Sequence, residues 1–255
     1  MPSPSMEHAW RRTKTLLHEE AKKKIQDLLK KKKQVSMCDI GCGNGAFLIR
    51  LAQELRNPRV VCLGIDLSNP FVNYAQAAAK AKDIIGVSFK QVDFEKENID
   101  QKFDIVISSE VLEHVGKPDI FLKKIHALLF EGGYFFLSTP NGNNLIKYLL
   151  FPLKRYISKK HEEDIKKFLT PQEEKFKLSE QEQHLFVFSH KFLIQMLKNA
   201  GFEIYKIPRS TTFFGGKILD ENPLLFAGSL LFDSFCNLFP FPQIGWDIIM
   251  FCRKK

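Results

Sequence analysis

Cys38-Asp39-Ile40-Gly41-Cys42-Gly43-Asn44-Gly45-Ala46 is the stretch on which the reading of this chain turns. An apolar run, Val35–Ile40, feeds three alternate glycines and then a helical pattern from Gly45 to Arg56. Backbone N–H groups and a helix N-terminus therefore face whatever lies above the strand. Gly41 permits the sharp turn, Gly43 lets a ligand approach the main chain, and Gly45 allows close packing of the helix. Downstream, Asp66 closes a second apolar run, Val60–Asp66. A strand, a glycine turn, a helix and a strand ending in an acid predict a nucleotide-type ligand.

Two such ligands fit the spacing. Gly41, Gly43 and Ala46 satisfy the dinucleotide fingerprint, whose third position accepts alanine. Asp39 argues otherwise, because a carboxylate two residues before the first glycine opposes a pyrophosphate and suits an ammonium group. A ligand with a cationic amino-acid end and a ribose answers both acids. These residues resemble the class I S-adenosylmethionine-dependent methyltransferases, whose first motif has this acid-x-Gly-x-Gly-x-Gly form. The resemblance covers roughly residues 35–209 and 246–253. It implies an α/β, Rossmann-like seven-stranded sheet of order 3-2-1-4-5-7-6, last strand antiparallel, with helices on both faces. It further implies that Asp39, Gly41, Gly43 and Gly45 hold the methionine end of S-adenosyl-L-methionine and Asp66 the ribose. Leu67 and Phe94 would pack on adenine, Asp93 would accept a bond from its amine, and Glu110 would line the cleft.

The rest of the chain alternates apolar runs with helical stretches, the pattern of a parallel sheet covered on both faces. Helices are expected over Pro70–Lys82, Pro118–Phe130 and His190–Asn199, the last capped by Ser189 and stopped by Gly201. Strands are expected over Val87–Asp93, Phe103–Ser109, Tyr134–Ser138, Phe202–Ile207 and Trp246–Cys252. Residues 35–255 thus read as one methyltransferase domain with insertions at 141–186 and 210–245, preceded by a basic amphipathic helical extension over 1–34. Both insertions fall where the resemblance places the acceptor pocket.

Glu110-Val111-Leu112-Glu113-His114 follows the fourth strand. Two carboxylates and an imidazole at the carboxyl edge of a sheet suit a hard divalent ion. The run resembles the Glu-x-x-Glu-His motif of ubiquinone-biosynthesis O-methyltransferases and of small-RNA 2′-O-methyltransferases. That resemblance implies magnesium held by Glu110, Glu113, His114 and a later histidine, for which His184 stands at a comparable place. Many small-molecule and saccharide methyltransferases carry a similar run with no metal, and then His114 or His184 serves as general base on an acceptor hydroxyl. His126 and His190 lie within expected helices and read as structural. Asn141, just past the fifth strand, reads as a loop former or an acceptor-side residue.

The formal net charge of the 255 residues is +9. Much of it lies in residues 1–34, where ten Lys or Arg stand against four acids and Leu17, Ala21, Ile25, Leu28 and Leu29 recur at helical spacing. Such a basic face suits plain solvent, anionic lipid or nucleic acid. No aromatic residues interleave it as base-stacking would require, which weighs against RNA. Asn222-Pro223 opens an apolar helix over 222–239 broken by a stripe of Ser229, Asp233 and Asn237. Its expected roles are a lid over a hydrophobic acceptor, an anchor at a membrane interface, or an interface in a homodimer. Five cysteines, mostly inside apolar runs, predict reduced buried thiols, and residues 1–34 hold no uninterrupted apolar core, so no signal peptide is expected. The expected setting is cytoplasmic, with peripheral contact at a membrane surface. The expected activity is O-methylation of a small or lipid-linked acceptor such as a quinone precursor or a saccharide lipid. Small-RNA methylation and a non-catalytic, cofactor-binding partner subunit are the alternatives.

Overall fold

Strands buried on both faces must be near-continuously apolar, and β4 (Phe103–Ser109) is buried at every position. Around it lie β1 (Val35–Ile40), β2 (Val60–Asp66), β3 (Val87–Gln91), β5 (Leu129–Pro140), β6 (Phe202–Lys206) and β7 (Asp247–Lys254). The computed structural model describes residues 4–142, 185–212, 217–236, 238 and 241–255. The seven strands form one sheet in the order β3-β2-β1-β4-β5-β7-β6, with β7 antiparallel to both neighbours. This is the expected topology.

Side chains alternate across each strand, so β1 sends Cys38 and Ile40 to one face and Val35 and Met37 to the other. The first face is covered by α4 (Pro118–Leu128) and α5 (His190–Asn199), through Phe121, Leu122, Ile125, Leu193 and Leu197. The second is covered by α1 (Pro4–Leu29), α2 (Ala46–Leu55) and α3 (Asn69–Ala81). Ser189 caps α5 by accepting from the Phe192 N–H, as expected. Two boundaries differ from the sequence reading. The third strand stops at Gln91, because the Asp93 carboxylate accepts from the Glu95 N–H and starts a turn. The fifth begins at Leu129, where pairing with Phe103 resumes on the far side of the Gly132-Gly133 irregularity.

The N-terminal helix is built into the core. Leu17, Ala21 and Ile25 are fully buried, and a buried Leu or Ile contributes about 1.5–3 kcal/mol. Thr13 and Lys14 of α1 reach Asp247 and Ser109 at the carboxyl edge of the sheet. Lys32, beyond its other end, pairs with Asp104 at the start of β4. The helix therefore crosses the sheet from edge to edge.

Two short helices, α6 (Lys217–Glu221) and α7 (Pro223–Cys236), lie between β6 and β7. Residues 143–184 of the first insertion, with His184, lie outside the described residues, as does Asn237. All five cysteines are buried and free, as expected. Among the described residues no helix is long and apolar enough to cross a membrane.

Candidate active site

The glycine turn lies between two acids at the carboxyl edge. Gly41, Gly43 and Gly45 all have positive φ, which L side chains rarely adopt. Their surroundings separate their roles. A Cβ at Gly45 would stand 2.6 Å from Phe89 and 2.7 Å from Ala75, so its bareness lets α2 pack on α3 and β3, whereas a Cβ at Gly43 would meet nothing within 4 Å. Open space above Gly43 is where a ligand can approach the main chain.

Asp39, at one side of the turn, is buried. Burial pushes its carboxyl up to about 7, with the Lys14 ammonium pulling the other way and Asp66 adding to the rise. A buried acid held this far from its ordinary value favours a cationic group brought beside it. At the other side, Asp66 accepts from the Gly43 N–H at 2.8 Å and the Ser68 N–H at 2.9 Å. Its two oxygens thus brace the turn and keep lone pairs for ribose hydroxyls. Leu67 beside it is 48% exposed, an apolar surface open to a flat ring.

The two remaining adenine-side residues are committed to the protein. Phe94 is buried edge-on against Phe121, with the Lys124 ammonium over its ring. Asp93 is paired with Lys96 at 2.8 Å. A cavity of about 410 Å³ opens beside Phe94, between the 98–102 connection and α4, on the sheet face away from α1 and α2. It offers none of the acids or N–H groups of the glycine turn, so the turn is the better cofactor site.

Beyond β4 the backbone makes an unusual step. Glu110 has φ 59, a left-handed conformation that costs a residue with a side chain about 1–3 kcal/mol, and strain of this kind gathers at functional sites. Its carboxylate accepts from the Ser138 hydroxyl at 2.6 Å, and Ser138 in turn lies 2.8 Å from the Ser109 hydroxyl, which accepts from Lys14 at 2.9 Å. One directional chain of hydrogen bonds thus runs from α1 to Glu110. Glu113 sits in the short 3-10 turn Leu112–His114, only 1% exposed. One of its oxygens accepts from Thr139 at 2.9 Å. The other has no hydrogen bond and faces His114 Nε2 at 3.9 Å. Burial, reinforced by Glu110, pushes Glu113 up to about 8.

Asp247, at the start of β7, completes an acidic group that local sequence patterns do not reveal. Burial and Glu110 push it up to about 8, and it accepts from Thr13 at 2.5 Å. It is paired with Pro140 across an antiparallel register, so only the tertiary fold brings it to the edge where Glu110 and Glu113 stand. The expected magnesium site is not assembled there. Among the described residues no group of three His, Cys, Asp or Glu is placed to hold a metal. The left-handed step at Glu110 sends the two glutamates to separate hydroxyl partners, Ser138 and Thr139. His184 lies outside the described residues, and its neighbour Leu185 donates its N–H to the Glu113 carbonyl at 2.7 Å. Asn141 is a latch. Its side chain is buried and donates to the carbonyls of Gln243 and Gly245.

A sequence profile described as "Methyltransferase domain" matches residues 31–201, more than half the chain. The chain belongs to this family, the class I S-adenosylmethionine-dependent methyltransferases. Among curated proteins it is similar to the ubiquinone biosynthesis O-methyltransferase of Acinetobacter baylyi, at 31% identity over 142 residues, 53% of this chain and 57% of the relative. The enzyme of the same description from Coxiella burnetii is 33% identical over 106 residues, 41% of this chain and 43% of the relative. The methyltransferase match thus spans about half the length of these relatives. Among solved structures, magnesium protoporphyrin IX methyltransferase from Synechocystis with bound S-adenosylmethionine superposes with TM-score 0.58 at 14% identity, covering 100% of this chain and 86% of that one. An S-adenosylmethionine-dependent methyltransferase from Mesorhizobium loti gives 0.54 at 19%, covering 92% and 96%. These two likenesses concern the fold of the family.

Proposed function

We propose that this methyltransferase transfers a methyl group from S-adenosyl-L-methionine to a hydroxyl of a small or lipid-linked acceptor. The observation that carries the reading is the open space over Gly43 between the buried Asp39 and the bracing Asp66. Asp39 would hold the ammonium of the cofactor, the N–H groups of the glycine turn its carboxylate, and Asp66 its ribose. The cofactor brings an activated methyl on a good leaving group, so the protein's task is chiefly to position and to move one proton. His114 is the candidate base. An imidazole accepts the hydroxyl proton as the oxygen attacks, and the unbonded Glu113 oxygen 3.9 Å away stabilises the imidazolium formed. The names of the curated relatives favour a phenolic hydroxyl of a quinone precursor.

The test is transfer of labelled methyl from S-adenosylmethionine to a catechol-type quinone precursor, with lipid extract and small RNA run in parallel. Label in the phenol or the lipid fraction is the expected result, and label confined to RNA overturns the acceptor assignment. His114→Ala is expected to lower kcat by about 10²–10⁴-fold, the usual contribution of general base catalysis, while leaving cofactor affinity unchanged.

A further inference from the structure

A helix on a protein surface ordinarily turns its apolar stripe inward. Helix α7 does the reverse. Asp233, its one charged residue, points into the body, where Arg209 donates to its carboxylate at 3.0 Å and to its backbone carbonyl at 2.9 Å. The Thr212 N–H and hydroxyl donate to the same carboxylate, at 2.7 and 2.6 Å. Cys236, one turn on, is buried. At 100° per residue, Leu224, Leu225, Leu231, Phe232 and Phe235 fall within an arc of about 120° on the opposite side. Leu224 is 88% exposed and Leu231 73%. Leu238 and Phe241, just beyond the helix, extend the exposed apolar surface.

Contiguous exposed apolar surface of this kind marks a site of association. The charge beside it indicates with what. His8 of α1 packs edge-on against Phe226 of α7, so the first turns of the basic helix border the apolar arc. Arg11 and Lys14 are exposed on α1, which belongs to a segment with ten Lys or Arg and four acids. The arc itself carries no charge. An apolar helix face of five large side chains with cations along its border matches an anionic lipid surface, which takes the apolar groups at the acyl boundary and the cations at the headgroups.

We propose that α7, docked on the protein through Asp233 and Arg209, is an interfacial anchor that holds this enzyme on an anionic bilayer. The anchor does not depend on the identity of the methyl acceptor. Its test is flotation of the full chain with vesicles of phosphatidylglycerol and phosphatidylcholine, compared with phosphatidylcholine alone, at low and high salt. The expected result is flotation on the anionic vesicles only, weakened by salt. Leu224→Asp and Leu231→Asp together are expected to lower vesicle affinity about tenfold or more, while circular dichroism and calorimetric affinity for S-adenosylmethionine stay as in the wild type. Both positions are exposed, so the fold has little to lose. As a second readout, α7 amides should gain protection from hydrogen exchange when vesicles are added. Failure of the wild type to float, flotation indifferent to the double substitution, or a wild-type dimer that the double substitution dissociates would each overturn the anchor. Cofactor affinity and methyl transfer to soluble phenols would be untouched by such failure, so the result separates the anchor from the catalytic reading.

Discussion

At the scale of single residues, the carboxyl edge of the sheet is defined by acids in unlike settings. Asp39 is buried and pushed up to about 7, so near neutrality much of it is protonated until a cation arrives. Binding a cofactor with an ammonium should therefore release a proton. Titration calorimetry at about pH 6.5 in buffers of different ionisation enthalpy is expected to show this release, and Asp39→Asn should abolish it and weaken binding by about 1.5–3 kcal/mol, the scale of a hydrogen bond to a charged group. Asp66 carries a double duty, since it braces Gly43 and Ser68 as well as facing the cleft. Asp66→Ala should lose affinity on the same scale and also lower Tm, whereas Asp66→Asn, which keeps an acceptor, should lose less Tm. An unchanged Tm in the alanine variant would show that the brace is idle. Asp39, the three glycines and Asp66 were legible because their spacing is local. Asp247 was not, because its neighbours are Thr13 and Glu110, far away in sequence. The opposite error befell Phe94 and Asp93, whose places in the motif order suit a ligand while their side chains answer to Phe121 and Lys96.

At the scale of elements, period and punctuation located most helices and strands, and physical detail set their ends. The strand after Gly132-Gly133 is longer than its apolar core suggests, because pairing with β4 begins before the glycines. Helix α1 had its apolar stripe read correctly, yet composition could not show that Leu17, Ala21 and Ile25 lie under the sheet or that Lys14 reaches Ser109. Helix α7 had its polar stripe read correctly and the direction of that stripe left open. Arg209, seen in sequence only as a residue before the insertion, decides it. Asp233→Ala should leave the buried Arg209 guanidinium without its carboxylate and cost about 3–5 kcal/mol of local stability, as when one partner of a buried pair is removed. Hydrogen exchange is the suitable measurement. Amides of residues 223–236 should lose protection while those of β1 and β4 keep it, and a uniform loss would mean that α7 is part of the global folding unit.

At the scale of the whole molecule, one edge of the sheet gathers Asp39, Glu110, Glu113 and Asp247 with Lys14 as their near cation, and the fold bears that arrangement as a pH dependence. Burial raises all four acids, so the folded chain keeps protons that the unfolded chain has already lost above the ordinary carboxylate range. Stability contributed by the neutral forms is present at low pH and falls as pH climbs through the raised values of about 7 for Asp39 and about 8 for Glu113 and Asp247. Burial acts oppositely on His18, His126 and His190, which are lowered, so the unfolded chain takes up protons there as pH falls below about 6.5. That contribution rises with pH and is complete near neutrality. The acids therefore dominate between about pH 6.5 and 8.5, and Tm of the cofactor-free chain should fall across that window. Asp247→Asn retains an acceptor for the Thr13 hydroxyl and removes one titrating group, so its Tm should fall less steeply. Saturating S-adenosylmethionine should flatten the wild-type curve as well, because its ammonium stabilises the charged form of Asp39. Parallel curves for wild type and Asp247→Asn would show that Asp247 is already ionised in the folded chain, with the Lys14 ammonium sufficient to hold it so.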